Sequence, residues 1–395
     1  MSEWKEYKLG EVADILPGYA FKSKDFGKNG IPVIKIKDIV PPSINMADTE
    51  RVDVHAYELS KISKYIIRKG DYVVAMTGAT IGKIGKQKED ALAYLNQRVA
   101  RIKAKDGICN DFIYYSILSE DFQHFVQNNI DSNSAQENIS ATSIGRFSLM
   151  LPSLDEQKLI AGVLSSLDDK IDLLHRENAT LEALAETLFR HYFIENPDPD
   201  WKEGKVSDIA IQCKESISPQ KHSDEIFLHY SIPAYDNGKC PTEEQGQNIQ
   251  SNKYVIPQKS ILFSKLNPHK DKRVWLMLDD VQTNAICSTE FQIVKPQNDQ
   301  WLYFLYEWLT YKENYDEIAS GVSGTSGSHQ RIDPKVIFEN GCPIVDDFTL
   351  EQYNTKVKPM FEKIKSNQQQ MQTLTTQRDI LLPRLMSSEV KICGQ

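Results

Sequence analysis

The chain has 395 residues, 40% hydrophobic and 26% charged, which suits two or three domains with cores of their own and excludes a disordered or fibrous protein. Its formal net charge of −9 excludes a protein that holds nucleic acid by an overall cationic excess, so any such contact has to come from local clusters or a basic partner. Six cysteines without a CxxC pair or a Cys/His cluster argue against zinc and suit a reducing compartment; with no apolar leader after Met1-Ser2-Glu3-Trp4-Lys5, a cytoplasmic protein is expected.

The opening segment Glu3-Trp4-Lys5-Glu6, continuing through Leu9, Glu11 and Val12, returns roughly half a chain later as Asp200-Trp201-Lys202-Glu203 through Val206, Asp208 and Ile209. Self-similarity at this period predicts a duplicated unit with internal pseudo-twofold symmetry. Further along the first copy, Lys64-Tyr65-Ile66-Ile67-Arg68-Lys69-Gly70-Asp71-Tyr72-Val73-Val74 matches Lys253 to Phe263 of the second, and a strand, a tight turn and another strand fit both. The segments that follow differ. The first copy has Met76-Thr77-Gly78-Ala79-Thr80-Ile81-Gly82-Lys83-Ile84-Gly85, and the second has Ser264-Lys265-Leu266-Asn267-Pro268-His269-Lys270-Asp271-Lys272-Arg273. A shared frame with unlike loops is expected of one scaffold displaying two recognition surfaces.

After Pro152, Ser153-Leu154-Asp155-Glu156 reads as a capping box opening a long helix. Its stripe runs through Ile160, Leu164, Leu167, Ile171, Leu174, Asn178, Leu181, Ala185, Leu188 and Tyr192, a heptad seam with steps of four and three. The link Glu195-Asn196-Pro197-Asp198-Pro199-Asp200 is short and stiff, which brings the end of this helix close to the start of the second copy. A second helix is expected from the box Thr349-Leu350-Glu351-Gln352, with a seam at Val357, Met360, Ile364, Asn367, Met371, Leu374, Arg378, Leu381 and Leu385. By the pseudo-symmetry, its end should lie near the start of the first copy. Pro359 conflicts with this helix and predicts a kink, or a true start near Lys358.

Each seam holds one asparagine. If Asn178 meets Asn367 in an antiparallel pair, Leu181 faces Ile364, Leu174 faces Met371, Ile171 faces Leu374 and Leu164 faces Leu381. A buried asparagine layer costs stability and rejects other registers, because a slip leaves an amide unpaired. Helices of this kind, nearly ~60 Å long at about 1.5 Å per residue, would act as a spacer. The charges by segment support their pairing: residues 151–195 carry −5 and 348–395 carry +3, against +1 for 1–150 and −8 for 196–347.

The expected fold is α+β: two pseudo-twofold-related mixed α/β heads separated by two long antiparallel coiled-coil helices. The expected divisions are a first head at 1–152, a central long helix at 153–195, a second head at 196–347 and a C-terminal long helix at 348–395.

The order Trp-Lys then Leu9-Gly10-Glu11-Val12, Gly30-Ile31-Pro32-Val33-Ile34-Lys35-Ile36, Gly70-Asp71, Thr77-Gly78-Ala79-Thr80-Ile81-Gly82, Asn96-Gln97, and Leu151-Pro152 leading to Glu156-Gln157-Lys158-Leu159-Ile160 resembles the DNA-specificity subunits of type I restriction-modification systems. Phe263-Ser264-Lys265-Leu266-Asn267-Pro268 and Leu381-Leu382-Pro383-Arg384-Leu385-Met386 extend the resemblance through the second half, where the helix opens on Thr349 instead of the Leu-Pro-x-x-x-Glu-Gln form. The resemblance implies two target-recognition domains, each reading one half of a split double-stranded DNA site, with the helices as a ruler. It also implies two methyltransferase subunits that methylate adenine with S-adenosylmethionine, and motor-nuclease restriction subunits that use ATP and Mg²⁺. No catalysis and no cofactor is expected in this chain. The sequence agrees: there is no Asn/Asp-Pro-Pro-Tyr motif, no Walker lysine loop and no HExxH, and Gly321-Val322-Ser323-Gly324-Thr325 misses a nucleophile elbow.

Base reading calls for donors and acceptors on exposed loops, and phosphate contact for cations or hydroxyls. The candidates are Thr77, Thr80, Lys83 and Lys86, then Asn133, Ser134 and Gln136 in the first head. In the second they are Lys265, Asn267, His269, Lys270, Lys272 and Arg273, then Ser326, Ser328, His329, Gln330 and Arg331. The alternative reading is a duplicated coiled-coil scaffold for other proteins without direct DNA recognition, which the acidic balance favours.

Overall fold

The structure, a computed structural model, describes residues 4–131, 137–323 and 330–387. The chain forms two compact units, Met1–Ile171 with Thr373–Gln395 and Asp172–Gln372. Each unit contains one head and a portion of both long helices.

The first head opens with strand Lys5–Lys8 paired antiparallel to Ser148–Leu151. A six-stranded sheet follows in the order Ala13–Pro17, Val99–Ala104, Tyr72–Ala75, Ile84–Lys86, Ser43–Ile44, Ile39–Val40, and a five-stranded sheet in the order Phe26–Gly27, Arg51–Val52, Ile31–Ile34, Ala93–Leu95, Ile66–Ile67. The second head repeats the plan. Lys202–Lys205 pairs with Gly341–Ile344, a four-stranded sheet runs Ala210–Cys213, Phe291–Pro296, Ser260–Ser264, Val274–Met277, and a five-stranded sheet runs Ser216–Ile217, Lys253–Val255, Ala285–Cys287, Ile226–Tyr230, Thr242–Gln245. The matched strand–turn–strand segments are present in both heads, but in each the turn carries the chain from one sheet into the other. Continuous burial explains this: central strands such as Tyr72–Ala75 and Ser260–Ser264 are buried at every position, hence on both faces, and need cover from two directions.

One sheet in each head is backed by a helix pair, Asn110–Leu118 with Glu120–Asn128 in the first head and Leu302–Thr310 with Lys312–Ser320 in the second. The main core of the first unit joins Leu9, Tyr72, Phe112 and Phe122 of the head to Ile160, Leu164 and Leu385 of the long helices. Leu381, Leu382 and Met386 pack around the same core as Trp4, which agrees with the expectation that the second helix ends beside the start of the first head. In the second unit, Val206, Phe263, Phe304 and Trp308 share a core with Ala185, Phe189, Val357 and Ile364.

The first long helix runs Leu154–Phe189 and widens into an i→i+5 helical turn at Arg190–Glu195. Ser153 caps it, its hydroxyl accepting from the Glu156 N–H, and Glu156 in turn accepts from the indole of Trp4 at 3.2 Å. The second long helix is continuous from Asp347 to Met386, which corrects both the start at Thr349 and the one near Lys358. Its cap is Asp346, which accepts from the Thr349 N–H and hydroxyl at 2.9 and 2.8 Å and from the Trp201 indole at 3.0 Å. Pro359 stays inside the helix because Leu350, Tyr353, Val357 and Phe361 around it are at most 5% exposed. Burying four large side chains at about 1.5–3 kcal/mol each outweighs a proline cost of about 3 kcal/mol.

Within the second unit the two helices run antiparallel in the expected register. The Asn367 amide donates to the Asn178 carbonyl at 2.8 Å and to Glu177 at 3.0 Å, and the Tyr192 and Tyr353 rings lie 5.9 Å apart. Both asparagines are buried, at 8% and 1% exposure. Within the first unit a second polar layer interrupts the seam: Arg378 donates to Asp168 at 3.0 Å, and Asp168 also accepts from the Tyr115 hydroxyl at 2.7 Å. Among the described residues no helix is long and apolar enough to cross a membrane.

Replacing one asparagine leaves the other's amide buried without its partner, so Asn367→Leu is expected to lower stability by about 1–3 kcal/mol. The double variant Asn178→Leu/Asn367→Leu should recover most of that loss. Urea midpoints of the four proteins in the cycle test this; a double variant as unstable as the sum of the singles would exclude the coupling.

A pH dependence follows from Glu307, only 5% exposed on Leu302–Thr310. Burial, reinforced by the carboxylates of Glu186 and Glu182 against the opposing charge of Lys272, pushes its carboxyl up to about 8 from an ordinary value of 4.5. The folded state therefore keeps a proton that the unfolded chain has released, and stability attributable to this group falls as pH rises between those values. Glu307→Gln is expected to flatten that decline when urea midpoints at pH 5 and pH 8 are compared with wild type.

Candidate nucleic-acid interface

In the first head, strands Tyr72–Ala75 and Ile84–Lys86 are joined by a loop that carries Thr77, Thr80 and Lys83. Gly78 and Gly82 take positive φ, +83° and +85°, which lets the loop close on itself through Gly82 N–H to Ala75 O and Lys83 N–H to Thr80 O. Lys83 is exposed, and Thr77 and Thr80 are half-buried. The loop is seated against residues 137–139. Gly78 N–H donates to Glu137 O at 3.1 Å, Thr77 bridges Asn138, and Ile139 N–H donates to Met76 O at 2.9 Å. Asp131 and Asn138 are themselves bridged. Its candidates Asn133, Ser134 and Gln136 lie outside the described residues.

Lys86 does not join this group. It sits at the other end of its strand, opposite Tyr72, where it pairs with Asp111 at 3.3 Å and lies over the Tyr72 and Tyr114 rings. The Tyr72 hydroxyl also bonds Asp111, which with burial keeps that phenol far above its ordinary range.

The second head places an equivalent loop between Ser260–Ser264 and Val274–Met277. It is seated on residues 330–332 by the same three connections: Asn267 N–H to Gln330 O at 2.9 Å, a bridge between Leu266 and Arg331, and Ile332 N–H to Lys265 O at 3.0 Å. Asn267 occupies the left-handed region at φ +48°, which asparagine tolerates. Strands Val322–Ser323 and Arg331–Ile332 pair across the segment holding Ser326, Ser328 and His329, which lie outside the described residues.

The cations of this loop divide into two kinds. Arg273 is turned inward, its side chain 11% exposed, and grips Asp236 with a bidentate fork at 2.6 and 2.9 Å and Asp271 at 2.7 Å; the Asp236 carboxylate holds its guanidinium above the ordinary range. Lys272 donates to the Thr310 carbonyl at 2.6 Å and lies over Tyr315. His269 and Lys270 are exposed at the loop tip. Lys265 is half-buried, and burial lowers its ammonium pKa. Arg331 remains 51% exposed while forking onto Glu290 at 2.9 and 2.7 Å, and this contact holds the Glu290 carboxyl below the usual carboxylate range.

The loops correspond through one more backbone bond. Met76 N–H donates to Arg98 O in the first head and Lys265 N–H to Glu290 O in the second, both at 2.9 Å. Arg98 and Asn138 in the first head therefore occupy the places of Glu290 and Arg331 in the second. Arg98, Asn138 and Glu290 were not singled out from the sequence, because they sit far along the chain from the loops they adjoin. The Asn96-Gln97 element just before Arg98 was the one available signal.

Residues 1–183 match the family model described as the type I restriction modification DNA specificity domain. The MjaIX specificity subunit of Methanocaldococcus jannaschii, a type I restriction enzyme component, is 24% identical over 99% of this chain and 94% of its own length. The HindI specificity subunit of Haemophilus influenzae is 23% identical over 99% of this chain and 100% of its own. Among solved structures, the type I restriction-modification S subunit from M. genitalium superposes with a TM-score of 0.61 at 16% identity, covering 99% of this chain and 97% of that one, which is a likeness of fold. Residues 1–183 are thus similar to the type I DNA specificity domain. From end to end the protein resembles the specificity subunits of type I restriction enzymes.

The two kinds of cation predict opposite outcomes on truncation. Arg273→Ala leaves Asp236 and Asp271 without their partner and is expected to cost about 1–3 kcal/mol. Lys270→Ala, at an exposed tip, should stay within about 0.5 kcal/mol of wild type. Thermal melts of the two variants decide between them; a neutral Arg273→Ala would return that arginine to the pool of contact residues.

Proposed function

We propose that this chain is the non-catalytic specificity component of a type I restriction-modification enzyme and reads a bipartite double-stranded DNA target, one head for each half-site. The observation that carries this reading is the pair of equivalent loops. Two heads with one backbone frame present different polar sets at the same place: Thr80, Lys83, Arg98 and Asn138 in one, and Asn267, His269, Lys270, Glu290 and Arg331 in the other. A frame that is repeated while its displayed side chains change suits two different half-sites.

The long helices are the natural seat for partners in this reading, with two methyltransferase subunits bound along them and restriction subunits joining for cleavage. S-adenosylmethionine, ATP and Mg²⁺ belong to those partners, and the complex works in the cytoplasm. The net charge of −9 fits such a division of labour, since the partners would supply much of the phosphate attraction.

The test is long-read mapping of methylated adenines in cells carrying this chain with its neighbouring methyltransferase, compared with cells lacking this chain alone. A split motif that disappears with the deletion is expected, and it would report both half-sites and their spacing. No change, with the methyltransferase expressed and intact, would favour the protein–protein scaffold.

A further inference from the structure

The backbone equivalence of the two heads isolates one pair of positions. The first is the residue whose carbonyl receives the N–H at the start of the loop, and the second is the residue bridged to the loop two places further on. In the first head these are Arg98 and Asn138, and in the second Glu290 and Arg331. The main-chain bonds are kept while the side chains exchange an arginine and an amide for a carboxylate and an arginine. Fold requirements do not account for such an exchange, since the frame tolerates both pairs.

In the second head the pair has a defined geometry. Arg331 Nε donates to Glu290 Oε2 at 2.9 Å and Arg331 Nη2 to Glu290 Oε1 at 2.7 Å. This two-bond fork fixes the plane of the guanidinium as well as its position. Its backbone is held by the bridge to Leu266, and its neighbour's N–H donates to Lys265 O at 3.0 Å. Despite this restraint, the Arg331 side chain is 51% exposed, whereas that of Glu290 is 28% exposed. An ion pair this open adds little to folding stability, so orientation is what the arrangement supplies. The contrast with Arg273 is direct: that guanidinium grips its carboxylates at 11% exposure and faces the protein.

We propose that Arg331 reads a guanine in the half-site facing the second head, with Glu290 as its positioning residue. The inference rests on the DNA-reading function proposed above. The warrant is chemical match. With Nε and one Nη2 hydrogen given to Glu290, a bidentate contact with the O6 and N7 acceptors on the major-groove edge of guanine falls to the Nη1–Nη2 edge at the tip of the guanidinium, and no other base offers that pair of acceptors. A carboxylate behind the arginine limits its rotation, which lowers the entropy lost on binding and penalises other bases.

Methylation mapping of the complete complex tests this with Arg331→Ala, Arg331→Lys and Glu290→Gln, each checked by its melting temperature. Arg331→Ala is expected to relax one guanine column of one half-site by roughly tenfold or more, with all columns of the other half-site retained. Arg331→Lys should relax the same column, and Glu290→Gln the same column less strongly, with melting temperatures near wild type. A motif unchanged at every column, a half-site without guanine, or methylation lost equally at all columns with a lowered melting temperature would each overturn the assignment. A wild-type complex that yields no split motif would instead remove the DNA-reading function, and this assignment with it.

Discussion

The constraint on which the rest of the structure depends is that each head shares its largest core with the long helices. In the first unit Leu9, Phe112 and Phe122 are buried against Ile160, Leu164 and Leu385 of the long helices, and in the second Val206, Phe304 and Trp308 are buried against Phe189, Val357 and Ile364. Removing the helices would expose large apolar side chains in each head at about 1.5–3 kcal/mol apiece. This is why the compact units divide each helix between them, and why the indoles of Trp4 and Trp201 close onto acids at the two helix starts, Glu156 and Asp346. A head fixed to helices in this way presents its loop from a rigid base.

Polar groups on the helix seam serve the same end by a different route. An Asn178–Asn367 layer within the second unit and an Asp168–Arg378 layer within the first occupy places where leucine would add more stability. Their value lies in register, because sliding one helix by a turn separates an amide or a charge from its partner.

The candidate interface is built on the same plan. Cations that look interchangeable in sequence are sorted by the fold: Arg273, Lys272 and Lys86 are committed to Asp236, Thr310 and Asp111, while Lys83 and Lys270 are left exposed. A loop that uses some of its arginines and lysines to brace itself needs fewer residues to be ordered on binding.

Periodicity and repetition in the chain were sufficient for the duplicated plan, both long helices, the antiparallel register and the asparagine layer. These depend on local spacing, which one dimension records faithfully. The cap at Asp346 was missed because a capping box at Thr349 is equally good locally, and the Trp201 indole that also bonds Asp346 comes from far along the chain. The helix start near Lys358, one of the two outcomes expected from Pro359, is not taken, because propensity counts the lost hydrogen bond and cannot count the burial of Tyr353, Val357 and Phe361. Loop candidates were legible as clusters, yet the division into braced and exposed cations, and the pairing of Arg98 with Asn138 and of Glu290 with Arg331 as equivalent places, came from main-chain bonds between segments far apart in the chain. Sequence alone determined what repeats along a line; tertiary structure decided which side chains share a place, because that depends on where distant strands end and not on the residues beside them.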